Sequence, residues 1–151
     1  MTRPPPPPHA AARPLLVLDT NVVLDWLVFR DSGCGALSTA LTGGLAQWIA
    51  TEAMRDEFDR VVARGSLDAW HLDTPALCAR WDRWANIVPS PPRSPPGFPR
   101  CTDPDDQKFI DLGIRLGARA LLSRDRAVLR CARGARALGL AILTPIAWTQ
   151  R

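Results

Sequence analysis

The strongest constraint on the fold of this chain is a set of apolar runs too short to be helices. Leu15 to Leu18 is unbroken, and Ala46 to Ala50 and Ala120 to Leu122 have a similar character. Runs of this length read as strands buried on both faces. Helical patterns follow them. Thr51 is placed to cap a helix over 52–64, Thr74-Pro75 opens one to about residue 86, and Asp103-Pro104 opens another to Leu116. Residues 126–138 read as a further helix, and "LAILTP" as a last strand ending at Pro145. Strands alternating with helices imply a parallel sheet with helices on both faces.

Two proline-rich stretches punctuate this pattern. Residues 1–14 contain five consecutive prolines and little that packs, so they are expected to be an extended or disordered tail. "VPSPPRSPPGFPR" (88–100) suits neither a helix nor a central strand and reads as a surface loop. The remaining 15–151 fits one domain, because neither half holds enough apolar sequence to stand alone. The apolar runs fall far short of the ~18 residues of a membrane span, and the start lacks the apolar core of a signal peptide. The expectation is a soluble, cytoplasmic protein with no membrane partner. Its four cysteines lie far apart and suggest free thiols rather than a zinc site or disulfides. Lys108 is the only lysine among 19 basic residues, and the net charge of +4 permits a nucleic-acid partner without requiring one.

Four acids stand where acids are costly. In "LLVLDTNVVL" (15–24), Asp19 interrupts two apolar segments, and Asp125 in "ALLSRD" lies just past another run. Ligands of open parallel sheets bind beyond the carboxyl ends of the strands, so both acids face one crevice if their strands are neighbours. Glu57 falls within the Met54, Phe58, Val61 and Val62 stripe, whereas Glu52, Asp56 and Asp59 fall outside it. A buried carboxylate needs a cation, which is either a bound metal or a core arginine. In "DPDDQKFIDLGIRLG", Asp106 points roughly 30° from the centre of the apolar face at about 100° per residue. Asp105 lies near the edge of that face and Asp111 points away. Capping and the helix dipole account for Asp103 and Asp105, but not for the inward position of Asp106.

If Asp19, Glu57, Asp106 and Asp125 converge, each pair ~5 Å apart repels by roughly 3 kcal/mol at an effective dielectric of about 20. Such a group needs a cation. Oxygen ligands without histidine or cysteine favour Mg²⁺ or Mn²⁺ over zinc, and fit phosphodiester hydrolysis by metal-activated water.

These residues resemble the PIN domain, a metal-dependent nuclease fold common among bacterial toxin-antitoxin toxins. "VLDTN" (17–21) is similar to its first motif, Glu57 in "RDEFDRVV" to its second acid, Asp106 in "DPDDQKF" to its third and Asp125 in "LLSRD" to its fourth. The resemblance covers Leu15 to about Trp148. It implies an α/β fold, a three-layer α/β/α sandwich with a mainly parallel sheet of about five strands. It also implies Mg²⁺ or Mn²⁺ held by the four acids, and cleavage of RNA. "DPDD" is most similar to the branch described as toxin components, which implies an antitoxin protein as partner. Ser123 stands where the family usually carries threonine and keeps the hydroxyl. Asn21 would orient Asp19 or a metal-bound water, Thr20 would steady the turn, and Asp105 would support the site. Arg124 either contacts a substrate phosphate or pairs with an acid when no metal is bound.

Arg126, Arg130 and Arg133 recur at helical spacing beside Asp125, as either a strip that tracks a phosphate backbone or an ordinary solvated face. Leu77, Trp81 and Trp84 form a stripe that is either core or, if exposed, a surface for a homodimer or an antitoxin. Two other functions compete with an endoribonuclease. A non-catalytic RNA-binding or regulatory module would keep the fold without the chemistry. An aspartate-nucleophile phosphatase would use Asp19, but it needs a second acid two residues on, where Asn21 stands.

Overall fold

The structure is a computed structural model that describes residues 13–64, 70–92 and 94–148. The tail expected at the start therefore lies, up to residue 12, outside the described residues.

Five parallel strands form one sheet: β1 (Leu15–Leu18), β2 (Gln47–Ala50), β3 (Ala85–Ile87), β4 (Ala120–Leu122) and β5 (Ala141–Leu143). Their order is β3-β2-β1-β4-β5. The unbroken apolar run of β1 places it at the centre, where Leu16 and Val17 lose all solvent contact. It pairs with β2 through Leu16↔Trp48 and with β4 through Leu16↔Ala120 and Leu18↔Leu122. The chain builds the sheet outward on one side through β2 and β3, then returns to the other side of β1 with β4. That reversal opens a crevice at the carboxyl ends of β1 and β4, the usual ligand position in such sheets.

The helices cover the sheet in the expected α/β/α arrangement. They are α1 (Thr20–Leu27), α2 (Gly35–Thr42), α3 (Glu52–Ala63), α4 (Thr74–Trp84), α5 (Gln107–Arg115), α6 (Arg126–Leu129) and α7 (Ala132–Ala137). The second apolar segment of "LLVLDTNVVL" is the start of α1, whose Val22, Val23, Leu24, Trp26 and Leu27 are buried. The Leu77–Trp81–Trp84 stripe belongs to the core, with Leu77 and Trp81 buried and Trp84 packed against them at the edge. The Trp81 ring meets Trp48 of β2 edge-on at 4.7 Å, and Trp48 meets Trp26 of α1 at 6.2 Å. Edge-to-face pairs of this kind add to the burial of the rings themselves. The four cysteines are free thiols, as expected.

Three element boundaries differ from the sequence reading. The helix expected to reach residue 86 stops at Trp84, and Ala85–Ile87 continues as β3, paired with β2 from Trp48↔Ala85 to Ala50↔Ile87. A three-residue edge strand has no periodicity of its own to reveal it. The helix expected from Asp103 begins as a single 3-10 turn, Pro104–Asp106, with Asp103 accepting from the Asp105 backbone N–H at 3.0 Å. The helix expected over 126–138 breaks at Arg130 and Cys131. There the turn tightens to a Cys131 N–H to Val128 carbonyl bond, and α7 packs so closely on the proline-rich loop that a Cβ on Gly134 would lie 3.1 Å from Pro99. No helix among the described residues is long and apolar enough to cross a membrane.

Trp81→Ala is expected to lower stability by about 3–5 kcal/mol, the usual cost of truncating a large buried aromatic ring. Urea unfolding followed by circular dichroism measures it; a loss below about 1 kcal/mol would show that the aromatic chain contributes little.

Candidate metal centre

Asp19 follows β1 directly. Its backbone N–H extends the ladder to the Leu122 carbonyl at 3.0 Å, so its position is set by the same pairing that joins β1 to β4. Ser123 stands at the matching place after β4, its N–H bonded to the Leu143 carbonyl at 2.9 Å. Fully buried, Ser123 donates its hydroxyl to Asp19 Oδ2 at 2.6 Å and accepts the Asp125 N–H at 3.0 Å. One hydroxyl thus fixes two acids from different strands. Asp125 also caps α6 by accepting the Ala127 N–H at 2.8 Å. Asp106 closes the group from the N-terminal end of α5, only 9% exposed.

Asp19, Asp106 and Asp125 each present an oxygen within 4.8 Å of the other two. Burial is the main cause that pushes the Asp19 carboxyl above its ordinary range, with the charges of Asp125 and Glu57 adding to it against the hydrogen bonds from Ser123 and the Asn21 backbone. The Asp106 carboxyl is pushed up to about 7, first by burial, then by the charges of Asp19 and Asp103 and its contact with Asp125. Asp19 and Asp106 are both held above the ordinary carboxylate range, the signature of crowded acids with no cation bound between them. Hard oxygen donors converging from three elements fit Mg²⁺ or Mn²⁺ better than a soft-ligand metal.

Glu57 lies outside this trio. It faces inward as its place in the stripe implies, but its Oε1 accepts Lys108 Nζ at 2.8 Å and its Oε2 accepts the Thr20 hydroxyl. The cation expected for Glu57 as the alternative to a metal is therefore Lys108 rather than an arginine. Thr20, read as steadying the turn, instead joins α1 to Glu57. The Asp105 side chain is exposed, and its carbonyl accepts Lys108 at 2.7 Å. Asn21 is exposed beside Asp19.

Arg124 takes the second of its two expected roles, with partners outside the trio. Its Nε lies 3.1 Å from Asp25 Oδ2 and its Nη2 2.8 Å from Asp31 Oδ2. The two carboxylates respond differently to the shared guanidinium. Burial raises the Asp25 carboxyl despite Arg124, whereas the Gly33 N–H, and then Arg124, hold that of Asp31 low. The pairing ties the segment carrying Ser123 and Asp125 to α1. Arg126, Arg130 and Arg133 are exposed but do not line one helix, since the chain breaks between α6 and α7.

Lys108, Asp25 and Asp31 were not singled out from the sequence. Lys108 carried a signal, as the sole lysine two residues after Asp106. Asp25 and Asp31 carried none, because their role depends on where Arg124 turns.

The PIN domain family profile matches residues 15–127. No curated protein and no solved structure gives a significant match. The chain belongs to the PIN domain family. PIN domains are generally nucleases that act on RNA with divalent metals, and the acidic trio has the geometry to hold such an ion.

The raised Asp106 carboxyl gives a pH signature. Metal-free folded protein binds this proton more tightly than the unfolded chain, whose aspartates titrate near 3.8. The resulting stability is fully present below that value and is lost as pH rises through about 7. The melting temperature in EDTA is therefore expected to fall over this range, with a shallower fall in Asp106→Asn. Equal slopes for both proteins would contradict the reading.

Proposed function

We propose that this protein is a Mg²⁺- or Mn²⁺-dependent endoribonuclease, the toxin of a toxin-antitoxin pair, acting in the cytoplasm through a single domain over 15–151. The observation that carries the reading is the meeting of Asp19, Asp106 and Asp125 at the crevice between β1 and β4. These three would hold the ion, with Glu57 as a fourth acid at the rim. A divalent ion there supplies Lewis-acid activation of water and neutralises charge on the scissile phosphate.

The chain's own residues prepare for that chemistry. Ser123 holds Asp19 and Asp125 in register, so the ligand geometry is set before an ion arrives. Burial and the neighbouring acids push the Asp106 carboxyl up to about 7, and a cation held there would favour its ionised form. Arg126, Arg130 and Arg133 offer exposed guanidinium groups near Asp125 for the RNA backbone. Arg124 is held by Asp25 and Asp31, so it serves the site as an anchor rather than as a phosphate ligand.

The toxin assignment rests on the "DPDD" resemblance, and its partner is an antitoxin protein. A homodimer is a second proposed assembly. Neither uses the Leu77 and Trp81 faces, which are buried.

Purified protein with single-stranded RNA and Mg²⁺ or Mn²⁺ is expected to cleave internally. Asp19→Asn should lower the rate by about 10²-fold or more, and EDTA should abolish it. Cleavage that survives both would overturn the proposal. RNA binding without cleavage by the metal-loaded wild type would favour a regulatory module instead. Growth arrest on expression, relieved by a small DNA-binding protein encoded next door, tests the toxin role.

A further inference from the structure

Lys108 sits beside the acidic trio but does not serve it. Its ammonium has three protons to donate. One meets Glu57 Oε1 at 2.8 Å and another meets the Asp105 carbonyl at 2.7 Å, while the nitrogen lies 5.1 Å from the centre of the Phe109 ring. Both ends of the ion pair are largely shielded, with side-chain exposures of 28% for Lys108 and 18% for Glu57. The second Glu57 oxygen is engaged by the buried Thr20. Each oxygen of Glu57 therefore already accepts from a protein donor, and any cation approaching them meets an ammonium already in place.

The charges of the trio are not relieved in the same way. Among the described residues the ammonium of Lys108 is directed to Glu57, and the guanidinium of Arg124 to Asp25 and Asp31, rather than to the trio. The site is thus divided into three acids open to a cation and one acid already matched with its own.

We propose that Lys108 is a resident cation that stands in place of a second metal ion: it holds Glu57 as a rim carboxylate and restricts the site to one divalent ion, bound by Asp19, Asp106 and Asp125. This rests on the metal-nuclease reading and specifies its stoichiometry. Lys108 is a positioning residue here, acting through Glu57.

Mn²⁺ titration of the full chain, followed by the electron paramagnetic resonance signal of the free ion, tests the proposal without reference to activity. Wild type is expected to bind one ion per chain. Asp106→Asn should weaken it at least about 10-fold, whereas Glu57→Gln should leave its affinity within about threefold. Lys108→Met frees a carboxylate and should add a second ion. Lys108→Arg, which keeps the charge, should still bind one. Two ions in wild type, a Glu57→Gln loss equal to that of Asp106→Asn, or one ion in folded Lys108→Met would overturn the proposal. If Lys108→Met fails to fold by circular dichroism, the Glu57→Gln comparison decides alone. No Mn²⁺ binding by folded wild type would instead overturn the metal-nuclease reading itself, and the proposal with it.

Discussion

The hydrogen bond from Ser123 to Asp19 is the contact on which the site depends. It crosses from the end of β4 to the end of β1, and it exists only because those strands are neighbours. The strand order creates that neighbourhood, since the chain leaves β1 on one side and returns on the other. The same reversal opens the crevice, so fold and site have one topological origin. A buried hydroxyl that donates to one acid and accepts from the backbone of the next leaves little freedom to either.

Around that contact, the charged residues separate into distinct tasks. Arg124 is matched by Asp25 and Asp31, and Lys108 by Glu57. Neither of these two cations is directed at the trio of Asp19, Asp106 and Asp125. Had either cation turned into the trio, the acids would be satisfied internally and a divalent ion would have to displace a side chain. Instead the protein gathers three carboxyl groups at one place, where burial and the neighbouring acids push Asp106 up to about 7. The three carboxyl groups are held together by a core in which Trp48 and Trp81 are buried edge to face.

Much of this was legible in the residues. β1 and β4 are unbroken apolar runs, and such runs announce buried strands. Helix periodicity puts Glu57 on an inward face, and the same projection turns Asp106 inward, where the structure buries it although it lies in the 3-10 turn before α5. Other features depend on contacts distant in sequence. β3 is three residues long and is defined by its pairing with β2, while the break between α6 and α7 goes with the close approach of Gly134 to Pro99. Periodicity also placed Glu57 correctly without identifying its partner, because the direction of the Lys108 side chain is a tertiary property. Side-chain pairing across 51 positions leaves no local trace.

The most direct test of the central claim is the position of a bound ion. In crystals grown with Mn²⁺, anomalous scattering should show one peak coordinated by carboxylate oxygens of Asp19, Asp106 and Asp125 at roughly 2.0–2.2 Å, close to the distances of hard divalent ions. Glu57 should still be joined to Lys108. A peak centred on Glu57, or Mn²⁺ bound elsewhere with the trio empty, would contradict the account.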